Sequence, residues 1–200
     1  MGAGASASDA PPSLKVTGKE AKRLQKQAKS AGLNKEIVKQ LFTAFGMLPS
    51  FADGTALAQE VSMLPHIAPV PLFGRISRLY ANEQGRIRPK DLLNMITEWG
   101  ESGGDGEGPK PLSPEVRLKK VFQAFDGDGD DHISLDEMVA VIDQLTSGAV
   151  DEDNLRQALL TGPAAKFMAV SDSGVNGLSF EKFRQIVSAE DLADKTTIRL

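Results

Sequence analysis

Residues 126–137 read DGDGDDHISLDE and constrain the fold of this chain more than any other stretch. A hard divalent cation takes about six to eight oxygen ligands, and a loop of this length supplies them only at fixed offsets. With Asp126 as position 1, Asp128 and Asp130 fall at positions 3 and 5, and Glu137 closes the loop at position 12. The spacing predicts one carboxylate oxygen from each aspartate and both oxygens from the glutamate.

The remaining loop residues agree with a metal site. His132 at position 7 offers its backbone carbonyl, and Ser134 at position 9 offers its hydroxyl or a bound water. The apolar Ile133 at position 8 predicts pairing with a second loop across a short strand. Asp131 stands at position 6, where a positive φ favours glycine, at a cost of roughly 1 kcal/mol. The whole pattern resembles the EF-hand calcium loop; the alternative is an acidic solvated loop between two helices.

Composition narrows the class of protein. The chain has 200 residues, enough for one large domain or two small lobes, and no apolar run approaches the ~20 residues that span a bilayer. It has no cysteine, which excludes disulfides and thiolate metal sites, and its two histidines are too few for zinc. Without a cysteine nucleophile or a base–nucleophile arrangement, we expect no enzyme activity. The absence of a hydrophobic secretory segment predicts a cytoplasmic protein.

Charge is divided unevenly along the chain. Residues 1–100 contain 13 Lys and Arg against 8 Asp and Glu, whereas residues 101–200 contain 10 against 19. An acidic C-terminal half argues against nucleic acid as a partner, and a basic N-terminal half suits an anionic surface.

The N-terminus combines a lipidation pattern with a basic segment. Residues 1–6 read MGAGAS, which fits N-myristoylation of Gly2 after removal of Met1, with Ser6 at the required position. One myristoyl chain gives marginal membrane binding, and a basic patch is the kind of second signal that strengthens it. The basic residues that follow are Lys15, Lys19, Lys22, Arg23, Lys26 and Lys29. The pattern predicts a membrane-binding N-terminus; the alternatives are a disordered tail of small residues and a solvated helix face.

The twelve-residue pattern recurs at residues 49–60, 80–91 and 171–182. We name these the first, second and fourth loops, and residues 126–137 the third loop. Each is flanked by runs of apolar residues at helical spacing. The residues at position 8 are Ala56, Ile87, Ile133 and Leu178. The repeat predicts four helix–loop–helix units that bury their apolar faces in pairs.

The other three loops lack the carboxylates that hold an ion. Pro49 and Phe51 replace acids in the first loop, and Arg86 and Arg88 add positive charge to the second. In the fourth loop Lys182 occupies position 12, where its ammonium repels a cation. The other replacements at ligand positions are Tyr80, Asn82, Gln84, Ser171, Ser173 and Val175. We therefore expect a single bound ion, in the third loop: Ca²⁺, with Mg²⁺ as the alternative.

These features predict an all-α, two-lobed EF-hand fold, with short β bridges between the loops of each pair. The predicted segments are a flexible N-terminal segment (1–18), an N-terminal lobe (19–99), a linker (100–113), a C-terminal lobe (114–191) and a C-terminal tail (192–200). The linker assignment rests on the composition of GESGGDGEGPKPLS.

Several stretches resemble the calcineurin B and calcineurin B homologous protein branch of the EF-hand family. One is the basic helical segment that precedes the first loop. Residues 44–65, AFGMLPSFADGTALAQEVSMLP, align without gaps to the family's first hand and the Leu-Pro that follows it. The ending DLADKTTIRL is close to the family's terminal segment, and calcineurin B homologous proteins share the acid at position 6 of the third loop. Their fourth loop is intact, unlike the one here.

The resemblance implies a calcium-binding regulatory subunit. Proteins of this branch bind one long amphipathic helix of a target protein in an apolar groove across both lobes. That target is the catalytic subunit of a calcium-activated protein phosphatase, or the cytosolic segment of a sodium/proton exchanger, which is a transporter. A structural, light-chain-like subunit of a cytoskeletal or flagellar assembly is the main alternative. A simple calcium buffer is a third hypothesis, weakened by the poor capacity of one site in 200 residues.

Overall fold

The computed structural model describes residues 18–100, 111–146, 148–162, 165, 177–188 and 196–198. The α-helices among them are α1 (Gly18–Ser30), α2 (Lys35–Gly46), α3 (Ala58–Val61), α4 (Phe73–Ile76), α5 (Pro89–Trp99), α6 (Pro114–Phe125), α7 (Leu135–Thr146), α8 (Glu152–Thr161) and α9 (Phe180–Ile186). A 3₁₀ helix covers Ser77–Tyr80. The strands are β1 (Ala56–Leu57), β2 (Arg86–Ile87), β3 (His132–Ile133) and β4 (Leu178–Ser179).

Two short antiparallel ladders join the loops in pairs. Strand β1 pairs with β2 through Ala56 and Ile87, and β3 pairs with β4 through Ile133 and Leu178. All four position-8 side chains are buried, so each ladder carries its apolar residues into the core. This pairing confirms the predicted architecture: a mostly helical, two-lobed EF-hand fold with short β bridges.

Several helix ends follow the capping residues in the sequence. The side chain of Asn34 accepts hydrogen bonds from the amides of Glu36 and Ile37 at the start of α2. The hydroxyl of Ser113 likewise accepts from Val116 at the start of α6. Each cap satisfies amides that have no partner within the helix.

The apolar residues that precede the second loop have helical spacing, but they form less α-helix than that spacing predicts. Residues 72–79 form only the single turn of α4 and then the 3₁₀ helix. Prolines at 65, 69 and 71 precede this run. Because proline lacks an amide hydrogen and restricts the residue before it, these three keep the connection after α3 from continuing as α-helix.

The main core runs through both halves of the chain, which we call the N-terminal half (18–100) and the C-terminal half (111–198). Trp99 and Phe73 meet edge to face with ring centroids 5.8 Å apart. Phe122 makes the same kind of contact with Phe183 at 5.6 Å. Helix α6 of the C-terminal half packs against α4 and the 3₁₀ helix of the N-terminal half. The residues of both halves therefore belong to one buried cluster.

Helix α1 packs on the N-terminal half through a smaller apolar cluster of Leu24, Ala28, Val38 and Leu93. The side chain of Gln27 donates a hydrogen bond to that of Asn94 on α5 at 2.8 Å. The basic residues of helix α1 are exposed; they are Lys19, Lys22, Arg23, Lys26 and Lys29. Helix α1 is thus anchored on one face and basic on the other.

The C-terminal tail returns to the junction of the two halves. The amide of Ile198 donates to the carbonyl of Trp99 at 2.9 Å, and Ile198 forms a bridge with Gly100. Arg117 donates to the hydroxyl of Thr197 at 2.8 Å. Residues 196–198 therefore touch the end of α5 and the side of α6.

Several predicted features lie outside the described residues. They include Gly2 and the rest of the N-terminal segment up to residue 17, residues 101–110 of the linker, and residues 171–176 of the fourth loop. Within the residues that the structure does describe, no helix is both long and apolar enough to cross a bilayer.

Candidate metal centre

The third loop lies between α6 and α7, in the C-terminal half. Helix α6 ends at Phe125, and the Asp126 amide still donates to the Phe122 carbonyl at 2.9 Å. Strand β3 occupies positions 7 and 8, and α7 begins at Leu135, position 10. The two helices and the ladder to β4 therefore fix both ends and the middle of the loop.

Three predicted ligands are brought together. Asp126, Asp128 and Asp130 each offer an oxygen, and these oxygens all lie within 4.8 Å of one another. Asp126 is buried, whereas Asp128 and Asp130 are exposed. Among the residues of the described ranges, this is the only convergence of three or more acidic or histidine side chains.

Asp126 organises the turn. Its Oδ1 accepts from the amides of Gly129 at 2.8 Å and Asp130 at 3.1 Å, and its Oδ2 accepts from Asp131 at 3.0 Å. Burial raises the pKa of Asp126, these three hydrogen bonds oppose that rise, and the charge of Glu137 adds to it. The backbone amides thus hold the carboxylate in place at the base of the loop.

Asp131 adopts the left-handed conformation that the sequence predicts for position 6. Its φ is 64°, and its side chain is exposed. Gly129 at position 4 also has a positive φ, of 76°. The turn is therefore sharp enough to aim consecutive amides at Asp126.

Glu137 closes the loop from the first turn of α7. Its Oε1 accepts from the amides of Gly127 at 2.5 Å and Asp128 at 3.3 Å. Its Oε2 accepts from the Ser134 amide at 2.8 Å and hydroxyl at 2.9 Å, and the Glu137 amide donates back to that hydroxyl at 3.2 Å. Ser134 and Glu137 therefore form a reciprocal capping box at the start of α7.

This hydrogen bonding also sets the charge state of Glu137. Burial would raise the pKa of its carboxyl, but the bonds from Ser134, Gly127 and Asp128 together bring that pKa below its ordinary value. Glu137 is therefore ionised and turned back over the beginning of the loop. A Cβ added at Gly127 would lie 3.2 Å from Glu137 Oε1, so this position is closely approached.

The other two predicted ligands have less direct support. His132 pairs with Ser179 in the ladder, its amide donates to Asp130 at 2.8 Å, and its ring Nδ1 lies 3.2 Å from the Asp130 carbonyl. The Ser134 hydroxyl is engaged with Glu137. The assignment of the His132 carbonyl and the Ser134 hydroxyl as metal ligands stays a prediction, and so does that of the four carboxylates.

The donor set fits a hard cation. The candidate ligands are carboxylate, carbonyl and hydroxyl oxygens, which are the donors preferred by Ca²⁺ and Mg²⁺. Like charges held this close repel one another, and a divalent cation bound among them would attract each carboxylate and so offset that repulsion.

In the first and second loops, side chains at ligand positions accept hydrogen bonds from backbone amides. In the first loop, Glu60 accepts a hydrogen bond from the Ser50 amide at 2.9 Å. In the second, the side chain of Asn82 accepts from the amides of Gln84 and Arg86. Absence of ion binding at these loops and at the fourth loop stays a prediction.

Sequence reasoning missed where two residues of the second loop point. Tyr80, at position 1, joins Glu98, Trp99 and Lys120 at the junction of the halves. Arg86, at position 7, reaches across to the first loop. An aromatic and a cationic residue at ligand positions were the only sequence signals, and neither specifies a partner.

Comparison with known proteins places the chain near one group of EF-hand proteins. It is 24% identical over 178 residues to calcineurin B of Naegleria gruberi, covering 88% of this chain and 93% of that protein. It is 22% identical over 179 residues to calcineurin B type 1 of Dictyostelium discoideum, covering 88% and 92%. For calcineurin B type 2 of Rattus norvegicus the identity is 20% over 162 residues, covering 80% and 85%. No protein-family model matches the chain.

These similarities extend over most of the chain, at low identity. They support a relationship to calcineurin B-like EF-hand proteins, in agreement with the resemblance noted in the sequence.

Proposed function

We propose that this chain is a non-enzymatic, calcium-binding regulatory subunit of the calcineurin B type, with its ion in the third loop. The convergence of three aspartate carboxylates at the start of a loop closed by an ionised glutamate carries the proposal. The proposed ligands are Asp126, Asp128, Asp130, His132, Ser134 and Glu137. Mg²⁺ is the expected competitor, because it prefers the same oxygen donors.

The ion would supply positive charge where the loop has mostly negative charge. Glu137 belongs to the first turn of α7, so any change in what its carboxylate binds acts directly on that helix. Val139 and Val141 of α7 are buried in the protein, and Asp136 is ion-paired with Arg156 of α8. We infer that α7 transmits the state of the loop to its neighbours.

The charge of the loop also reaches the N-terminal half. Burial and the neighbouring Arg78 lower the pKa of Arg75 on α4, and the charge of Glu137 opposes that effect. A cation bound beside Glu137 would weaken this attraction. We infer that binding of an ion in the third loop alters the electrostatic environment of Arg75 in the N-terminal half.

The proposed partner is an amphipathic helix of a target protein. A cavity of about 330 Å³ in the C-terminal half is lined by Leu118, Phe180 and Val187, with Glu115, Arg184 and Ser188 alongside. Other large apolar side chains are exposed at Met47, Leu57, Met63, Leu79, Val116, Val150, Leu160 and Ile186. Apolar side chains that are open to solvent can serve as contacts for the apolar anchors of a bound helix. The resemblance to calcineurin B favours a phosphatase catalytic subunit as the target.

Calorimetric titration with Ca²⁺ tests the metal site. We expect one ion per chain for the wild type and no binding for Glu137→Gln, which keeps the size of the side chain and removes its charge. Asp136→Asn is the matched control, because Asp136 is the neighbouring acid, is exposed and pairs with Arg156. No uptake at millimolar Ca²⁺, or two or more ions per chain, would contradict the proposal.

Affinity capture from cell lysate tests the partner. We expect the tagged chain to retain a phosphatase catalytic subunit. The capture is carried out once with Ca²⁺ and once with chelator, and the amount retained by the wild type is compared with that retained by Glu137→Gln under each condition. Recovery only in a detergent-insoluble skeleton, indifferent to chelator, would support the structural light-chain alternative and contradict this proposal.

We also propose that the N-terminus binds membranes through a myristoyl group on Gly2 and the exposed basic face of α1. The anchored arrangement of α1 supports this, because its cations are directed away from the apolar cluster that holds it. Flotation with vesicles containing anionic lipid is the test. Binding should fall for Gly2→Ala and for replacement of Lys22 and Lys26 by glutamate. Equal flotation of all three proteins would refute it.

A further inference from the structure

The side chain of Arg86 reaches from the second loop into the first. Its Nη2 donates to the carbonyls of Ser50 at 2.6 Å and Thr55 at 2.9 Å, and its Nε donates to the Thr55 hydroxyl at 2.7 Å. The residues concerned are separated by 31 and 36 positions in the chain. One guanidinium therefore binds the beginning and the middle of the first loop at once.

The Thr55 carbonyl is the oxygen that an EF-hand loop offers to calcium. Thr55 is position 7 of the first loop, and position 7 ligates through its backbone carbonyl. A carbonyl oxygen accepts through two lone pairs. Here it accepts from Arg86 and also from the Ala52 amide at 2.9 Å. Both directions are used, and one of the two donors is a cation.

The rest of the first loop retains the closure seen in the third loop. Glu60 at position 12 accepts from the Ser50 amide at position 2, as Glu137 accepts from Gly127. The first loop lacks acids at positions 1 and 3, yet its closing glutamate is folded over it in the same way. The first loop is therefore closed at position 12 by Glu60, and the Arg86 guanidinium binds its backbone carbonyls at positions 2 and 7.

We propose that Arg86 is a tethered cation that takes the place of calcium in holding the first loop closed. A guanidinium is charged at every physiological pH and presents several donors in a fixed plane, so it can bind carbonyl oxygens from two directions. Because it is covalently part of the chain, its occupancy does not depend on calcium concentration. The second loop fixes the backbone from which it extends, since the Asn82 amide donates to the backbone carbonyl of Arg86 at 2.9 Å.

Hydrogen exchange in the full chain tests this inference, with chelator present throughout so that the third loop carries no calcium. The reporters are the amides of Ala52, Thr55 and Leu57, which are hydrogen-bonded within the first loop. The Asp126 amide, bonded to Phe122, is the reference for the C-terminal half. The variants are Arg86→Met, which keeps a long aliphatic side chain without charge or donors, and Arg86→Lys, which keeps the charge.

We expect Arg86→Met to speed exchange of the three reporters by about tenfold or more, as the loss of charge-assisted hydrogen bonds predicts. Arg86→Lys should have a smaller effect in the same direction, and the reference amide should change less than the reporters. Arg88→Met is the matched control, because Arg88 is exposed and its guanidinium pairs with Asp91, three residues further along the chain. It should leave the reporters unchanged.

Two results would overturn the inference. One is exchange in Arg86→Met at the wild-type rate, which would mean that the guanidinium holds nothing. The other is an equal effect of Arg86→Met and Arg88→Met, which would reflect the loss of positive charge in general. If Arg86→Met does not fold, Arg86→Lys decides: it keeps the charge but replaces the planar fork of donors by one ammonium group, and reporter exchange at the wild-type rate in that variant would count against the proposal.

Discussion

The ammonium group of Lys120 lies 4.7 Å from the centre of the Tyr80 ring and 3.1 Å from its hydroxyl oxygen, although the two residues belong to opposite halves of the chain. The Tyr80 hydroxyl donates to Glu98, and the indole of Trp99 donates to that hydroxyl at 2.8 Å. A residue at a ligand position of the second loop thus contributes to the contact between halves. Position 1 of this loop has a structural role there.

Tyr80 is the only tyrosine of the chain, so its ionisation can be followed by ultraviolet absorbance without interference. Burial, and then the hydrogen bond and charge of Glu98, raise the pKa of Tyr80 well above its ordinary value of 10.0. The folded protein keeps this proton above pH 10 while the unfolded chain releases it. Stability should therefore fall as pH rises beyond 10, and tyrosinate should form only with unfolding. Glu98→Gln should lower the pKa of Tyr80, and a reversible wild-type titration near pH 10 would contradict the prediction.

The ion pair between Lys120 and Glu98 should stabilise the junction measurably. The two atoms are 2.8 Å apart, and both side chains are only about a quarter exposed. A double-mutant cycle with Lys120→Met and Glu98→Gln should give a coupling free energy of about 1 kcal/mol. The exposed pair of Lys39 and Glu36, at 3.8 Å, is the control and should give less than about 0.5 kcal/mol. Equal coupling free energies in the two cycles would show that partial burial at the junction does not strengthen the ion pair.

Ile198 in the C-terminal tail should contribute as much to the free energy of unfolding as an ordinary core residue does. Ile198 is fully buried, and Ile198→Ala should lower the free energy of unfolding by about 2–4 kcal/mol. Ile186→Ala is the matched control at a position that is 44% exposed, where the cost should stay within about 0.5 kcal/mol. Denaturant unfolding in the presence of chelator, followed by the fluorescence of the single tryptophan, measures both. Similar costs for the two variants would mean that the tail does not pack as described.

The strain at position 6 of the third loop can be measured separately from metal binding. Asp131→Gly keeps the amide that donates to Asp126 and relieves the positive φ, so we expect a gain of about 0.5 kcal/mol in chelator. Gly85→Ala is the opposite change in the second loop: φ is 71° and the added methyl meets no atom, so strain alone should cost about 1 kcal/mol. A loss of stability in Asp131→Gly would indicate that its side chain has a role beyond the turn.

Sequence patterns predicted the parts of this fold that depend on local spacing. Position 8 of each loop could be assigned by counting, and Ala56 with Ile87 and Ile133 with Leu178 are indeed partners. The convergence of Asp126, Asp128 and Asp130 follows from the same count.

The contacts that escaped prediction are those between residues far apart in the chain. Lys120 meets Tyr80 across 40 positions, and Arg117 meets Thr197 across 80. Such pairs depend on how the halves pack, which no repeat encodes. The destination of Arg86 was missed for a different reason: the pairing of β1 with β2 places its backbone beside the first loop, but the repeat does not specify which groups its side chain reaches.

The shared core changes what a break in the chain would do. The contact between the two halves buries Phe73 and Trp99 on one side and α6 on the other. The amide of Ile198 donates to the carbonyl of Trp99 at this contact. A chain cut between residues 100 and 111 would keep all of these interactions, so the two fragments should stay associated and copurify. If the two fragments are expressed separately, each exposes the apolar surface that is buried against the other in the intact protein. Each fragment should therefore be prone to aggregation. We therefore expect the contacts of the interface to hold the two halves together after the chain is cut.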